Sequence, residues 1–260
     1  MKYALLGLAF LFSPILQAAL HEENVAYPAG STVLKGYLVW DDSKGSKQPG
    51  VLVVHEWWGL NEYARQRARM LAGLGYTALA VDMYGDGQVT EHASEASAFV
   101  KSVHDKAETS KLRFLAAKTL LEQQPNVDAK KIAAIGYCFG GSTVLDMARM
   151  GVDLDAVVSF HGNLATQSPA QPGSVKAKIL VLNGADDDFV SPESIAEFKQ
   201  EMAAAKAEYH FVDYPGAKHG FTNPEADKLG AANHIPIAYN AAADQKSWAA
   251  MQALFAQVFQ

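Results

Sequence analysis

The chain has 260 residues, 49% of them hydrophobic and 19% charged, with a formal net charge of -6. That balance belongs to a globular protein able to bury a sizeable core, and the length suits one large α/β domain. Net acidity without clustered Lys and Arg excludes a general affinity for nucleic acid or anionic membrane surfaces and leaves a small-molecule substrate open.

The chain opens on "MKYALLGLAFLFSPILQAAL". Lys2 gives a positive start, an apolar run follows, and Ala18 and Ala19 are small residues suited to cleavage, which together predict a signal peptide over residues 1–19. A spanning helix needs about 20 predominantly apolar residues, whereas this run is interrupted by Pro14 and followed by the polar "HEENVAY". The alternative is an uncleaved N-terminal tether. On the signal reading, residues 20–260 form a single periplasmic or secreted domain with no stable membrane association once the signal is removed.

Next, "VAYPAG" and "STVLKGYLVW" predict an antiparallel pair turning at "PAGS". Then come the apolar run "GVLVVHEWWGL", the helical "NEYARQRARMLAGLG", the run "YTALAVDMYG", a long helical region from Thr90 to Gln124, and the run "KKIAAIGYC". A helix follows Cys138, then the strands "DAVVSFHGN" and "AKILVLNGADD", the helix "SPESIAEFKQEMAAAKA", the strand "EYHFVDYP" and a last helix "AAADQKSWAAMQALFAQVF". Strands without polar alternation, separated by helices, predict a mostly parallel central sheet covered on both faces. Residues 216–236 read as a long irregular connection of the kind that carries function.

Cys138 is the only cysteine. In an oxidising compartment it has no internal partner, so it is an inert buried thiol, an intermolecular linker or a nucleophile. Its setting is Gly136-Tyr137-Cys138-Phe139-Gly140, a GxCxG between a strand and a helix, which is a nucleophile elbow with sulfur in place of the serine oxygen. The flanking glycines permit a tight turn, the Phe139 N–H faces the reacting carbonyl, and the helix start favours negative charge. "GYCFGG" lacks dinucleotide-binding spacing, and "HEWWG" lacks the second histidine of a zinc site, so no metal or organic cofactor is implied.

On such an elbow the nucleophile is followed along the chain by an acid and then a histidine. Among the three aspartates of "GADDDFV" we choose Asp187, reading Asp186 and Asp188 as solvated turn residues or helix-capping charges. For the base we choose His219, in the loop after the last strand. His210 fits a strand position, and His234 is the fallback.

The segments "VVHEWWGLNEYAR", "AVDMYGDG", "IGYCFGGS", "GADDDFV" and "YPGAKHGFTNPEAD" resemble the dienelactone hydrolase family, the cysteine branch of the α/β-hydrolase fold, from about Tyr27 to the C-terminus. The resemblance implies the nucleophile at Cys138, the acid at Asp187 and the base at His219. It also implies that Glu56 contacts the resting thiol and controls its ionisation, and that the backbone N–H groups of Trp57 and Phe139 form the oxyanion hole. Trp58, Tyr84 and Phe221, with the rings of Trp57 and Phe139, are candidates for an apolar pocket. Members that cleave the chlorocatechol-pathway lactone hold its carboxylate with arginines, one shortly after the histidine, and here that position is Asn223, which removes the bidentate fork. The expected activity is hydrolysis of small esters or lactones through an acyl-enzyme. The competing readings are acyl transfer to another acceptor, or a non-enzymatic ligand-binding or redox-sensing module on the same fold.

Overall fold

A computed structural model describes residues 20–104 and 107–260. The predicted signal peptide lies outside the described residues. From Leu20 the chain forms a hairpin of β1 (Leu20–Ala29) and β2 (Thr32–Asp41), paired in unbroken antiparallel register from Leu20–Asp41 to Ala29–Thr32. This pair is longer than the sequence pattern predicts. Ladder bonding continues through "LHEEN", a polar stretch that shows no burial alternation.

Alternating units then follow: β3 (Gln48–Val54), α1 (Glu62–Gly73), β4 (Thr77–Val81), α2 (Ala93–His104), α3 (Ala107–Glu122), β5 (Val127–Tyr137), α4 (Phe139–Arg149), β6 (Ala156–Phe160), β7 (Lys178–Gly184), α5 (Pro192–Ala205), β8 (Tyr209–Tyr214), α6 (Ala226–Asn233) and α7 (Ala241–Val258). The helical region expected from Thr90 to Gln124 is thus two helices. The supposedly irregular stretch 216–236 contains α6, whose eight residues include Gly230 and are too few to show a helical period.

The eight strands lie in the order β1-β2-β4-β3-β5-β6-β7-β8. β2 pairs antiparallel to β4, and every pairing from β4 through β8 is parallel. The apolar runs are strands because both their faces are covered. Leu52 and Val54 of β3 join Phe114 of α3, Val144 of α4 and Phe198 of α5 on one side. Val51 and Val53 join Leu71 of α1 and Met251 and Phe255 of α7 on the other. The period of two along a strand divides one apolar run between two cores.

From β3 the chain builds outward to β4 on one side and then returns to β5 on the other. The crevice beyond the carboxyl ends of β3 and β5 is therefore the topological switch point, where ligands bind in open α/β sheets. The residues after these two strands are Glu56 and Trp57, and Cys138.

Beyond the end of β4, the buried carboxylate of Asp82 gathers four backbone donors. Its Oδ2 accepts from Lys35 and Gly87 at 2.9 Å each, and its Oδ1 from Tyr84 at 3.0 Å and Gly85 at 2.8 Å. One side chain thereby ties β2 to the loop that carries Tyr84. Replacing Asp82 with Ala strands these donors and should lower unfolding free energy by about 3 kcal/mol or more, with a smaller loss for Asp82→Asn, as read by urea denaturation.

Candidate active site

Cys138 stands between β5 and α4 at φ 53, ψ -115, a left-handed backbone conformation rare for a residue with a side chain. The turn closes because two neighbours have no Cβ. One at Gly136 would stand 2.7 Å from the Gly141 nitrogen and closer still to the Gly140 carbonyl. One at Gly140 would stand 2.7 Å from the His55 carbonyl oxygen and collide with that of Val54. The half-buried cysteine is held by its own N–H, which is shared between the Phe160 carbonyl at 3.0 Å and His161 Nδ1 at 3.1 Å.

Cys138 opens onto a cavity of about 290 Å³. Glu56, Trp57, Phe139 and His219 share its wall. His219 Nδ1 lies 2.8 Å from Asp187 Oδ2. Asp187 is buried while Asp186 and Asp188 are exposed. Its other oxygen accepts the Phe189 N–H at 2.8 Å, which fixes the carboxylate in its turn. Burial alone would lower the His219 pKa. The charge of the Cys138 sulfur and its hydrogen bond to the ring, together with Asp187, outweigh it and raise the pKa well above the ordinary value. The ring is thus disposed to hold a proton. The fallback His234 caps the C-terminus of α6 and is exposed, and His210 is an exposed strand residue.

Glu56 is buried in the same wall, and its Oε2 accepts a 2.6 Å hydrogen bond from Asn223 Nδ2. Burial pushes its carboxyl up from the ordinary 4.5 to about 7, against the opposing pull of Asn223 and of the His219 and Arg67 charges. Trp57 and Phe139 follow β3 and β5 and line the cavity with Cys138, and among the described residues neither backbone N–H has a hydrogen-bond acceptor. Phe139 is the first residue of α4, whose amino end adds a partial positive charge.

The Trp57 donor is oriented from behind. Its N–H belongs to the same peptide unit as the Glu56 carbonyl, and that carbonyl accepts from His55 Nδ1 at 2.5 Å and from the Gly59 N–H at 3.2 Å. His55 Nε2 accepts from the Met83 N–H at 3.2 Å, so the ring is neutral with its proton on Nδ1, and burial holds its pKa down to about 4. Sequence reasoning dismissed His55 as half of an absent zinc site. Its adjacency to Glu56 was the available signal.

Three candidates for the substrate pocket lie elsewhere. Tyr84 is buried under the site, packed on His55 and Phe139, with its hydroxyl donated to the Trp57 carbonyl at 3.0 Å. Phe221 is fully buried in the α1–α7 core against His161 and Tyr214. Asn223 faces Glu56 rather than the cavity. Trp58 does line the cavity, together with residues that sequence reasoning missed: Val100 of α2, Phe189, and Ile235 and Ile237 after α6. Ile235 and Ile237 went unnoticed because an irregular connection, even one expected to carry function, has no period that marks which of its residues face a cavity. Among the described residues, no group of three or more His, Cys, Asp or Glu side chains is disposed to hold a metal ion.

The dienelactone hydrolase family profile matches residues 34–259. The chain belongs to the dienelactone hydrolase family. It is therefore a hydrolase, which removes the non-enzymatic alternative. A crystal structure of a dienelactone hydrolase-like promiscuous phosphotriesterase from metagenomic libraries is 39% identical, with a TM-score of 0.87 over 92% of this chain and 99% of the other. The structure named m3DLH is also 39% identical, with a TM-score of 0.88 over 93% and 100% of the two chains. A Yersinia pestis protein named "Putative carboxymethylenebutenolidase" is 28% identical over 250 residues, or 92% of this chain and 89% of that one.

The raised carboxyl of Glu56 gives the hydrolase a pH signature. Between the ordinary value of 4.5 and about 7 the folded state binds more protons at Glu56 than the unfolded state does. The stability contributed there is therefore complete at the acid end and lost as pH rises through the folded value. Glu56→Gln should flatten this slope and gain stability over the parent at about pH 8 relative to about pH 5, measured by urea midpoints at the two values.

Proposed function

We propose that this enzyme cleaves small uncharged esters or lactones with Cys138 as nucleophile, His219 as base and acid, and Asp187 as the group that orients the histidine. The observation that carries this reading is the convergence on one cavity of a cysteine at φ 53 and a histidine bonded to a buried aspartate. His219 takes the thiol proton, and the thiolate attacks the carbonyl carbon. The carbonyl oxygen becomes an oxyanion received by the Trp57 and Phe139 N–H groups, donors worth about 3 to 4 kcal/mol each in such sites. Collapse breaks the bond to the alcohol oxygen, which leaves with the proton from His219. The thioester that remains is attacked by a water whose proton His219 removes, and the acid departs as the thiol is restored.

Asp187 supports each step by accepting the Nδ1 proton, which turns Nε2 toward the reacting groups and stabilises the imidazolium. Glu56 we assign to gating: a carboxylate near the sulfur opposes thiolate formation, so its charge state sets when the nucleophile is armed. A thiol kept neutral until substrate arrives resists oxidation, which suits the periplasmic or exported location proposed from residues 1–19.

The cavity supports the substrate class. Its wall is formed largely by Trp57, Trp58, Val100, Phe189, Ile235 and Ile237, and no Lys or Arg among the described residues lines it. A carboxylate on the acyl group would find no guanidinium on this wall, where the His219 ring is already paired with Asp187. Accordingly, kcat/KM for p-nitrophenyl butyrate should exceed that for the anionic p-nitrophenyl hemisuccinate by roughly tenfold or more, since an unpaired charge in an apolar site is penalised by at least 1.4 kcal/mol. A neutral phosphotriester belongs in the same panel, given the name of the 39% identical relative.

Cys138→Ala should lose about 1,000-fold or more in kcat, and Asp187→Asn about 100-fold or more, in stopped-flow assays of these esters. Mass spectrometry of the parent quenched with a slow ester should find the acyl group on Cys138. Equal turnover by parent and Cys138→Ala would eliminate the mechanism.

A further inference from the structure

We infer that His161, outside the triad, is the positioning residue that holds the nucleophile and the histidine loop at their working separation. The inference rests on the cysteine-hydrolase reading above. His161 follows directly on β6, is fully buried, and has a left-handed backbone at φ 41. From there it reaches a segment belonging to each member of the triad. Its backbone N–H donates to the Leu182 carbonyl at 2.9 Å, on the strand that leads to Asp187. Its Nδ1 accepts the N–H of Cys138 itself at 3.1 Å. Its Nε2 lies 2.7 Å from the Oγ1 of Thr222, three residues beyond His219.

The first side-chain bond fixes the tautomer. A backbone N–H needs an acceptor, so Nδ1 is bare and the proton sits on Nε2, which donates to Thr222. An imidazolium would set N–H against N–H at the elbow. Burial, and after it the positive charges of His219 and Arg67, drive the His161 pKa well below the ordinary value and keep the ring neutral. It stands edge-on to His219 with centroids 5.2 Å apart. A neutral neighbour leaves His219 free to gain its proton.

Thr222 is anchored in turn. Its Oγ1 lies 2.6 Å from the Tyr63 hydroxyl, and its carbonyl accepts from Arg67 at 2.5 Å. Arg67 is itself buried and paired with Asp244 at 2.6 Å. The brace therefore runs from the Cys138 backbone through His161 and Thr222 to α1 and α7. The neighbours Tyr137 and Phe221 form an aromatic packing site that phenylalanine would fill without the cost of burying polar atoms. The polar ring at this place is accounted for by the two bonds it makes.

Three variants test this: His161→Phe removes both bonds, Thr222→Val removes the loop bond, and His161→Asn retains an acceptor near Nδ1 and tolerates a left-handed backbone. Each is assayed for kcat and KM on p-nitrophenyl butyrate and for the rate of Cys138 alkylation by iodoacetamide against pH. His161→Phe should lower kcat about 30-fold or more with KM changed less than about threefold, the scale of a small misplacement of reacting groups. Its alkylation should fall about tenfold or more near pH 6, where the thiolate depends on its imidazolium, and less than about twofold near pH 10. Thr222→Val should move both readouts in the same direction, and His161→Asn should recover about tenfold of the kcat lost in His161→Phe.

Parental kcat with superimposable alkylation profiles in the folded variants would overturn the inference. So would a loss uniform across pH, or His161→Asn no better than His161→Phe. If His161→Phe does not fold, Thr222→Val and His161→Asn decide by the same alkylation profile. Alkylation of Cys138 that leaves parental turnover intact would instead sink the cysteine-hydrolase reading itself.

Discussion

The contact between Gly140 and the carbonyls of Val54 and His55 governs the rest of the molecule's chemistry. It lets the first turn of α4 press against the end of β3, leaving no room for a methyl group between them. Any side chain at 140 would push the helix off the sheet, and the backbone of Cys138 would relax from its left-handed conformation. Because β3 and β5 are neighbours at the switch point, this one approach also brings Trp57, Cys138 and Phe139 to the wall of one cavity. Close packing of backbone on backbone thus stands in for a dedicated scaffold.

Around that contact the protein places polar side chains whose targets are peptide groups. His55 holds the Glu56 carbonyl, Asp82 gathers four amides, Tyr84 holds the Trp57 carbonyl and His161 holds the Cys138 amide. Each is buried, and in a medium of low dielectric a satisfied hydrogen bond is directional and stiff while a broken one is costly. Desolvation also decides the charge states. It keeps His55 and His161 neutral and lifts Glu56 into the neutral range, while His219 alone is compensated by a sulfur and a carboxylate.

What could be read from the sequence was what is local. The strands from β3 to β7 announce themselves as apolar runs because a doubly covered sheet demands them, and the elbow as glycines at fixed offsets from Cys138. Asp187 stands out from its neighbours by its offsets from Gly184 and Val190 and the helix start that follows. His55, His161 and Asn223 were not legible in their true roles. His161 and Asn223 act on groups brought near only by folding, Asn223 on Glu56 from 167 positions away, while His55 acts on the adjacent Glu56 carbonyl in a geometry that spacing does not reveal. Tyr84 and Phe221 were misplaced because a ring near a strand end has the same sequence signature whether it faces a cavity or a core. The helix α6 escaped because eight residues with a central glycine carry too little periodicity. Burial, pairing and charge compensation belong to three dimensions, and one-dimensional spacing records them only where the chain returns to itself quickly.

The braces and the walls come from different parts of the chain. The parts that fix the reacting groups lie behind them, in α1, α7 and the ends of the central strands. Val100 and Ile235 stand on α2 and on the segment after α6 without a contact to a reacting group, whereas Phe189 packs on His219 and Ile237 is bridged to it. Drift at Val100 and Ile235 can therefore reshape the volume offered to an acyl chain while the machinery behind stays put. Such separation makes the scaffold evolvable, since new selectivity is reached through steps that keep the old reactivity alive.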